Sequence, residues 1–111
     1  MSIYTDAQEI IHSALEACLP DQAVRRALEG KELGSGRVFL VALGKAAWQM
    51  ARCAAELLGP RLEQGVVVTK YGHSQGDIPR YQVFEGGHPV PDEGSFRGTR
   101  AAMELVQDLA P

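Results

Sequence analysis

Residues 38–47 have the sequence VFLVALGKAA, and this stretch decides the fold. Six consecutive apolar residues, Val38–Leu43, are typical of a strand covered on both faces in a parallel sheet. Apolar residues then recur at helical spacing, which predicts a helix from Ala46 to Leu58 that stops at Gly59-Pro60. The residues expected to face inward on this helix are Ala47, Met50, Ala51, Ala54, Leu57 and Leu58.

Two further strands are predicted downstream of this strand–helix unit. One covers Gly65–Thr69, a second buried strand with three consecutive valines, and the other covers Tyr81–Glu85, where apolar and polar residues alternate. A last helix is predicted from about Asp92 or Ser95 through Val106. Because strands alternate with helices, the pattern predicts a three-layer α/β domain with a parallel sheet, right-handed crossovers and flanking helices.

Two helices are predicted before the first strand. Thr5 or Asp6 is the expected N-cap of the first helix, which Pro20 ends. Asp21 is the expected cap of a second, short helix that Gly30 closes. One face of the first helix is apolar at helical spacing, which predicts packing: Ala7, Ile10, Ile11, Ala14, Leu15 and Cys18.

Composition excludes several classes of protein. The chain of 111 residues carries a net charge of -3 and no basic run, which argues against nucleic acid as a partner. Cys18 and Cys53 lie in apolar helical patterns, so both are expected to be buried in a reducing compartment. The sequence contains no signal-peptide pattern and no apolar run of membrane-spanning length. We therefore expect a cytoplasmic protein without a membrane partner.

The predicted sheet is small for a doubly wound domain. Three strands with a final helix and no strand after it predict an incomplete domain with a poorly protected sheet edge. We therefore expect a fragment of a longer protein, with self-association at that edge and a homodimer or a larger species. A small three-layer domain is the structural alternative.

The first candidate site follows the first strand. Gly44 permits a tight turn, and Lys45 stands near unpaired N–H groups at the start of the next helix, which suits a phosphate or carboxylate. A Walker A loop is excluded because Phe39 stands where its first glycine belongs and Ala46 follows the lysine. No dinucleotide fingerprint follows a strand either. The structural alternative is a solvated lysine, although a cation is mildly unfavourable at that helix end.

Two more polar segments follow the other predicted strands. Lys70 and His73 belong to the segment TKYGH at 69–73, and Gly87 and His88 belong to EGGHPVPDE at 85–93. Two prolines stiffen the latter loop, and its glycines allow close approach to a ligand. Since parallel strands deliver their carboxyl ends to one edge, these groups are expected to converge with Lys45 on an anionic or phosphorylated ligand. Each segment alone could be an ordinary connection.

These motifs, in this order, resemble the glycerate 2-kinase family of the MOFRL type, some members of which are labelled hydroxypyruvate reductase. The residues that carry the resemblance are Gly44–Ala47 with Met50-Ala51, Gly65–His73, and Gly87–Glu93 with Ser95. It covers nearly the whole chain. One departure is Gly86, where many members carry alanine, a difference that counts as conservative from sequence alone.

The resemblance implies a Rossmann-like N-terminal domain, of which residues 1–111 are one portion, and a smaller C-terminal domain that closes over a cleft. It implies transfer of the ATP γ-phosphoryl group to the 2-hydroxyl of glycerate, with a divalent metal, expected to be magnesium. Lys45 matches a candidate catalytic lysine of the family. The expected substrate-binding residues are Gly44, Lys70, His73, Gly87 and His88, with Lys70 on the glycerate carboxylate and the histidines at the acceptor hydroxyl. The rest of the domain and the C-terminal domain are absent, so the chain alone is expected to be inactive.

Two other functions stay open at this point. A phosphosugar-binding α/β module would cradle a phosphate without catalysis, although such sites typically use serine and threonine hydroxyls. A non-catalytic α/β interaction domain would use Gly86, Gly87 and Pro89 only to shape a turn. Hydride transfer fits poorly, because it requires a dinucleotide site.

Overall fold

The structure is a computed structural model that describes residues 2–110. Three strands form a fully parallel sheet in the order β1-β2-β3, with helices on both faces, which confirms the three-layer α/β prediction. The elements are α1 (Ile3–Cys18), α2 (Pro20–Leu28), β1 (Val38–Leu43), α3 (Ala47–Leu58), a short 3-10 helix (Gly59–Arg61), β2 (Leu62–Lys70), β3 (Tyr81–Gly86) and α4 (Glu93–Val106).

Strand β2 lies at the centre of the sheet and supplies side chains to both layers. Val67 is fully buried in a cluster with Ala47, Trp48 and Ala51 of α3. On the opposite face, α4 approaches so closely that a Cβ atom at Gly98 would lie 2.6 Å from a methyl carbon of Val68. Glycine at this position therefore lets α4 sit directly on the sheet.

The connection from β2 to β3 contains no helix. Residues 71–80 form a loop that packs on the α3 side, where Ile78 is buried next to Trp48. The indole N–H of Trp48 donates to the carbonyl oxygen of Gly76 at 2.8 Å. A buried aromatic side chain with a satisfied N–H thus anchors a crossover that usually needs a helix.

The helix starts in the N-terminal region differ from the predictions. Helix α1 begins at Ile3, and the side chain of Ser2 accepts from the N–H of Thr5 at 3.1 Å, so Ser2 rather than Thr5 or Asp6 is the N-cap. Helix α2 begins at Pro20, with Leu19 as the N-cap rather than Asp21. Proline suits this position because first-turn N–H groups have no intrahelical partner to lose.

The apolar face of α1 is not packed. None of its described residues is buried, and Ile10, Ile11 and Leu15 are 69%, 58% and 61% exposed. Cys18 is also exposed, whereas Cys53 is buried as expected. The predicted burial of this face and of Cys18 is therefore wrong, because within residues 2–110 no element covers it.

Strand β1 lies at an edge of the sheet, and one of its two faces is exposed. Val41 and Leu43 are 39% and 66% exposed, and Met50 on α3 is exposed beside them. Helix α4 packs chiefly against β2 and β3, so β1 is covered on one face rather than two. The predicted burial of Met50 and of both faces of β1 is wrong, while self-association at this edge stays a prediction.

None of the helices between residues 2 and 110 is long and apolar enough to cross a membrane.

Candidate anion-binding site

The carboxyl ends of the three strands meet at one edge of the sheet. Leu43 pairs with Val68 and Lys70 pairs with Gly86, which brings the three following loops side by side. A cavity of about 230 Å³ lies between them. Its lining includes four of the predicted site residues, Gly44, Lys70, Gly87 and His88, together with Leu43, Val68, Thr69, Gly86, Ser95 and Thr99.

The other two predicted residues lie next to this cavity. Within the described chain, the lining includes neither Lys45 nor His73. The Nδ1 atom of His73 is 3.1 Å from the carbonyl oxygen of Lys45, so the two residues are held together. The convergence expected from the sequence thus brings four residues to one cavity and two to its border.

The turn from β1 to α3 requires glycine at its first position. Gly44 has a φ of 111°, in a region that L side chains rarely adopt. Its N–H donates to the carbonyl oxygen of Val68 at 3.0 Å, and its own carbonyl oxygen accepts from Ala47 at 3.2 Å. Lys45 precedes Ala46, the N-cap of α3, which makes no side-chain capping bond. The N–H of Ala47 is occupied by Gly44, whereas no side-chain cap binds the following first-turn N–H groups, which can therefore attract an anion beside Lys45.

Thr69 is a residue of this region that sequence reasoning did not select. It is the buried polar side chain of the described core, at 3% exposure. Its hydroxyl donates to the carbonyl oxygen of Gly44 at 2.9 Å and lies 3.4 Å from that of Lys45. The signal in the sequence is a single hydroxyl residue directly after three valines in a buried strand.

Asp92 shapes the loop that carries His88. Its carboxylate caps α4 by accepting from the N–H groups of Gly94 and Ser95 at 3.1 and 3.4 Å. It also accepts from Gly87 at 3.0 Å, and Ser95 completes a capping box. The Gly87 N–H is the main cause that lowers the pKa of Asp92 below its ordinary value of 3.8. Asp92 therefore orders the backbone of the loop by its own hydrogen bonds.

Tyr71 and Glu85 connect the second loop to the third. A hydrogen bond to Asp92 is the main cause that raises the pKa of the Tyr71 phenol. The N–H of Tyr71 donates to the carbonyl oxygen of Gly86 at 3.2 Å, and that of Gly72 donates to the Glu85 carboxylate. The carboxylates of Glu85 and Asp92 thus accept from local donors, and the ion pairs of the described residues, Arg25–Glu56 and Arg52–Asp21, involve neither Lys45 nor Lys70.

The packing around Gly86 leaves no room for the alanine that many members of the glycerate 2-kinase family carry at this position. A Cβ atom at this position would lie 2.5 Å from the hydroxyl oxygen of Ser95 and 2.7 Å from its backbone nitrogen. An alanine here would require the start of α4 to move. The substitution is therefore not conservative in this chain, contrary to the expectation from sequence.

We expect the pH dependence of stability to reveal the Asp92 cap. Folding lowers the pKa of the Asp92 carboxyl. Its contribution to the free energy of unfolding is therefore complete at pH values above its ordinary pKa of 3.8, and it is lost as the pH falls through the lower pKa of the folded protein. Asp92→Asn should therefore have a lower melting temperature than wild type near neutral pH. This difference in melting temperature, the gap, should narrow as the pH drops below about 4. Thermal melts between about pH 3 and 7 measure this gap.

Ser95→Ala provides the control for this experiment, because it weakens the same capping box without removing a titrating group. Its gap to wild type should stay constant across the same pH range. A constant gap for Asp92→Asn as well would contradict the assigned role of the carboxylate.

Metal-ligating side chains are not clustered at this edge. Within residues 2–110, no group of three or more His, Cys, Asp or Glu side chains lies close enough together to hold a metal ion. The polar side chains in the lining of the described cavity are one lysine, one histidine and three hydroxyl residues, and the cationic Lys70 among them suits an anion.

Comparison with known proteins identifies the family. The family described as "Domain of unknown function (DUF4147)" matches residues 6–111. D-glycerate 2-kinase of Thermotoga maritima is 52% identical over 103 residues, which cover 93% of this chain and 24% of that protein. Glycerate 2-kinase of Pyrococcus horikoshii is 37% identical, covering 96% of this chain and 26% of that protein. A putative hydroxypyruvate reductase of Agrobacterium vitis is 36% identical, covering 94% of this chain and 23% of that protein.

A solved structure agrees with these sequences. The crystal structure of glycerate kinase from Thermotoga maritima superposes with a TM-score of 0.82 at 51% identity, covering 93% of this chain and 24% of that one. The chain spans about a quarter of the length of the curated relatives it matches, as the expectation of an incomplete domain requires. The resemblance found from the motifs is confirmed. The chain belongs to the glycerate 2-kinase family of the MOFRL type, as part of the DUF4147 domain in its N-terminal region.

Proposed function

We propose that the full-length protein is a glycerate 2-kinase, which transfers the γ-phosphoryl group of ATP to the 2-hydroxyl of glycerate. The observation that carries this proposal is the meeting of three strand ends around a cavity of about 230 Å³, with Lys70 and His88 in its lining and Lys45 at its border. The relatives named glycerate 2-kinase support the choice of substrate. The described chain supplies one part of the site, and we propose that it is inactive alone.

The proposed roles follow from charge and position. In phosphoryl transfer, the glycerate oxygen bonds to the γ-phosphorus while the bond from that phosphorus to the β-phosphate oxygen breaks. Lys45 and the first N–H groups of α3 would stabilise charge on the transferring group. Lys70 would bind the glycerate carboxylate. His88 would orient the acceptor hydroxyl or take its proton, with His73 as the second candidate.

ATP and a divalent cation, magnesium, are the proposed cofactors. An ATP phosphate fits the combination of a free lysine and uncapped helical N–H groups at the start of α3. The described residues do not fit a magnesium site by themselves, since no acidic cluster lies at this edge within residues 2–110. We therefore assign no metal ligand among them. A cytoplasmic location is part of the proposal, supported by the free thiols of Cys18 and Cys53.

The reductase name carried by some relatives is not supported by the local geometry. Nicotinamide dinucleotides are held by a glycine-rich turn between the first strand and its helix. In this chain that turn is Gly44-Lys45-Ala46, which lacks the fingerprint and whose lysine we propose to bind a phosphate. Kinase chemistry therefore accounts better for the residues present.

The test is an assay of the full-length protein with D-glycerate, ATP and magnesium. We expect ATP-dependent formation of 2-phosphoglycerate, identified by phosphorus NMR against the 2- and 3-phospho standards. A parallel thermal-shift series with glycerate, ATP and a sugar phosphate examines the alternative of a phosphosugar-binding module. Stabilisation by the sugar phosphate alone, without turnover, would replace the kinase proposal by that alternative.

His88→Ala should affect catalysis more than stability. His88 lines the cavity with an exposed side chain, so removing it leaves the packing of the loop unchanged. We expect a higher KM for glycerate if His88 orients the acceptor, or a kcat lower by about 100-fold or more if it is the acid–base group, with little change in melting temperature. His12→Ala, on exposed α1, is the matched control and should behave as wild type. A large fall in melting temperature with normal kinetics would instead identify His88 as a structural residue.

A further inference from the structure

We propose that Thr69 is a positioning residue for Lys45, which it holds through the backbone of the β1–α3 turn. This inference rests on the proposed function, since the role of Lys45 is part of it. The observation behind it is the hydroxyl of Thr69, which is buried, donates to the carbonyl oxygen of Gly44 at 2.9 Å and lies 3.4 Å from the carbonyl oxygen of Lys45.

A hydroxyl at this place is not required by the packing of the strand. Val66, Val67 and Val68 precede Thr69 in β2, and valine has nearly the same shape as threonine. A buried hydroxyl carries a desolvation cost unless it is hydrogen-bonded. The carbonyl oxygen of Gly44 satisfies this requirement at 2.9 Å, and that of Lys45 lies 3.4 Å away. The hydroxyl thus has a specific partner, and that partner is the turn next to Lys45.

The turn needs such a restraint because of its backbone conformation. Gly44 has a φ of 111°, and glycine is the residue with the widest choice of other conformations. The Val68 carbonyl oxygen fixes the Gly44 N–H at 3.0 Å, and Thr69 fixes the carbonyl oxygen of the same residue. Neighbouring residues of β2 thereby hold both sides of Gly44. The peptide plane that leads into Lys45, and with it the Cα–Cβ direction of Lys45, is set by these contacts.

His73 adds a second restraint that would survive loss of the hydroxyl. Its Nδ1 atom lies 3.1 Å from the Lys45 carbonyl oxygen, and Ala47 still donates to the carbonyl oxygen of Gly44. Removing the Thr69 hydroxyl should therefore loosen the turn without unfolding it. Misplacement of a catalytic group by about 1 Å costs about 100-fold in rate, so the expected loss in kcat is about 10- to 100-fold.

The experiment compares Thr69→Val and Thr69→Ser in the full-length protein. Thr69→Val removes the hydroxyl at constant shape, and we expect kcat to fall about 10- to 100-fold with KM for glycerate within about twofold of wild type. Thr69→Ser keeps the hydroxyl and should recover most of kcat. Val66→Ala, in the same strand but away from the turn, controls for a general loss of stability and should keep kcat below its melting temperature.

Amide hydrogen exchange tests the restraint without reference to turnover. The N–H of Gly44 should exchange about 10-fold faster in Thr69→Val than in wild type, and Thr69→Ser should restore its protection. A wild-type protein that does not phosphorylate glycerate would refute the proposed function, while the exchange data would still report on the turn. Unchanged kcat and exchange in Thr69→Val, or equal losses in Thr69→Ser, would overturn the role assigned to Thr69.

Discussion

Lys45→Ala in the full-length protein is expected to abolish most glycerate phosphorylation. The substitution removes the positive charge next to the uncapped start of α3, where Ala46 makes no side-chain bond to the free N–H groups. Loss of one preorganised group that stabilises transition-state charge commonly costs about 100- to 1,000-fold in kcat, or about 3–4 kcal/mol. Steady-state kinetics with saturating ATP and glycerate measure this loss. The melting temperature should stay near that of wild type, because Lys45 is exposed.

One further variant separates charge from geometry at Lys45, and a second removes a lysine elsewhere as a control. Lys45→Arg keeps the charge but changes the shape of the donor, so partial activity would indicate that charge dominates. Lys31→Ala removes an exposed lysine from the loop before β1 and should leave turnover unchanged. Turnover of Lys45→Ala within about twofold of wild type would rule out the catalytic role, since even one lost donor should cost far more.

The sequence predicts the sheet well because its strands are defined locally. Strand β1 occupies the predicted Val38–Leu43, and β3 extends only to Gly86, one residue beyond the prediction. Strand β2 starts earlier, at Leu62, because Leu62 pairs with Val38 and the polar Gln64 pairs with Phe39, with Glu63 at an irregularity of the register between them. Continuous apolar runs thus locate a strand, whereas polar residues that extend it depend on the neighbouring strand.

The surfaces that cover each element are less predictable. The helical spacing of Ile10, Ile11 and Leu15 correctly predicts α1, but it cannot specify a partner for the apolar face, which is exposed. The burial of Ile78 beside Trp48 could not be predicted from the sequence either, because it depends on how a loop without periodicity folds back onto α3. Periodicity identifies which side of an element is apolar, while burial depends on residues distant in the chain.

In the candidate site, the positions of the loops were predictable from the sequence, whereas the contacts that hold them were not. Parallel topology alone brings Lys70 and His88 to one cavity, and this convergence was predicted from strand order. The contacts that hold the loops were not, because each joins residues far apart in sequence: Thr69 with Gly44, and His73 with Lys45. Asp92 was predicted as one of two possible starts of the last helix, and its bond to Gly87 in the preceding loop was not predicted. Side chains that bind backbone groups need the folded geometry to be recognised.

The loop that carries His88 depends on glycine for space. A Cβ atom at Gly87 would collide with the carbonyl oxygen of Val90 and would lie 3.2 Å from an Asp92 carboxylate oxygen. The loop has little freedom to relieve this contact, because Pro89 and Pro91 fix two of its φ angles. The N–H of Gly87 also donates to Asp92, so any shift of the chain would weaken the cap of α4.

Gly87→Ala should therefore lower the free energy of unfolding and weaken glycerate binding together. Overpacking of this kind costs about 1–3 kcal/mol, and displacement of His88 should raise KM for glycerate. Gly36→Ala is the matched control, because a Cβ atom there has no neighbour within 4 Å, and it should be neutral or slightly stabilising. Denaturant unfolding of both variants in the full-length protein, combined with glycerate kinetics, measures the two effects. Equal stability of the two variants would show that the loop can move aside, and His88 would then be held in place by contacts other than the Gly87–Asp92 hydrogen bond.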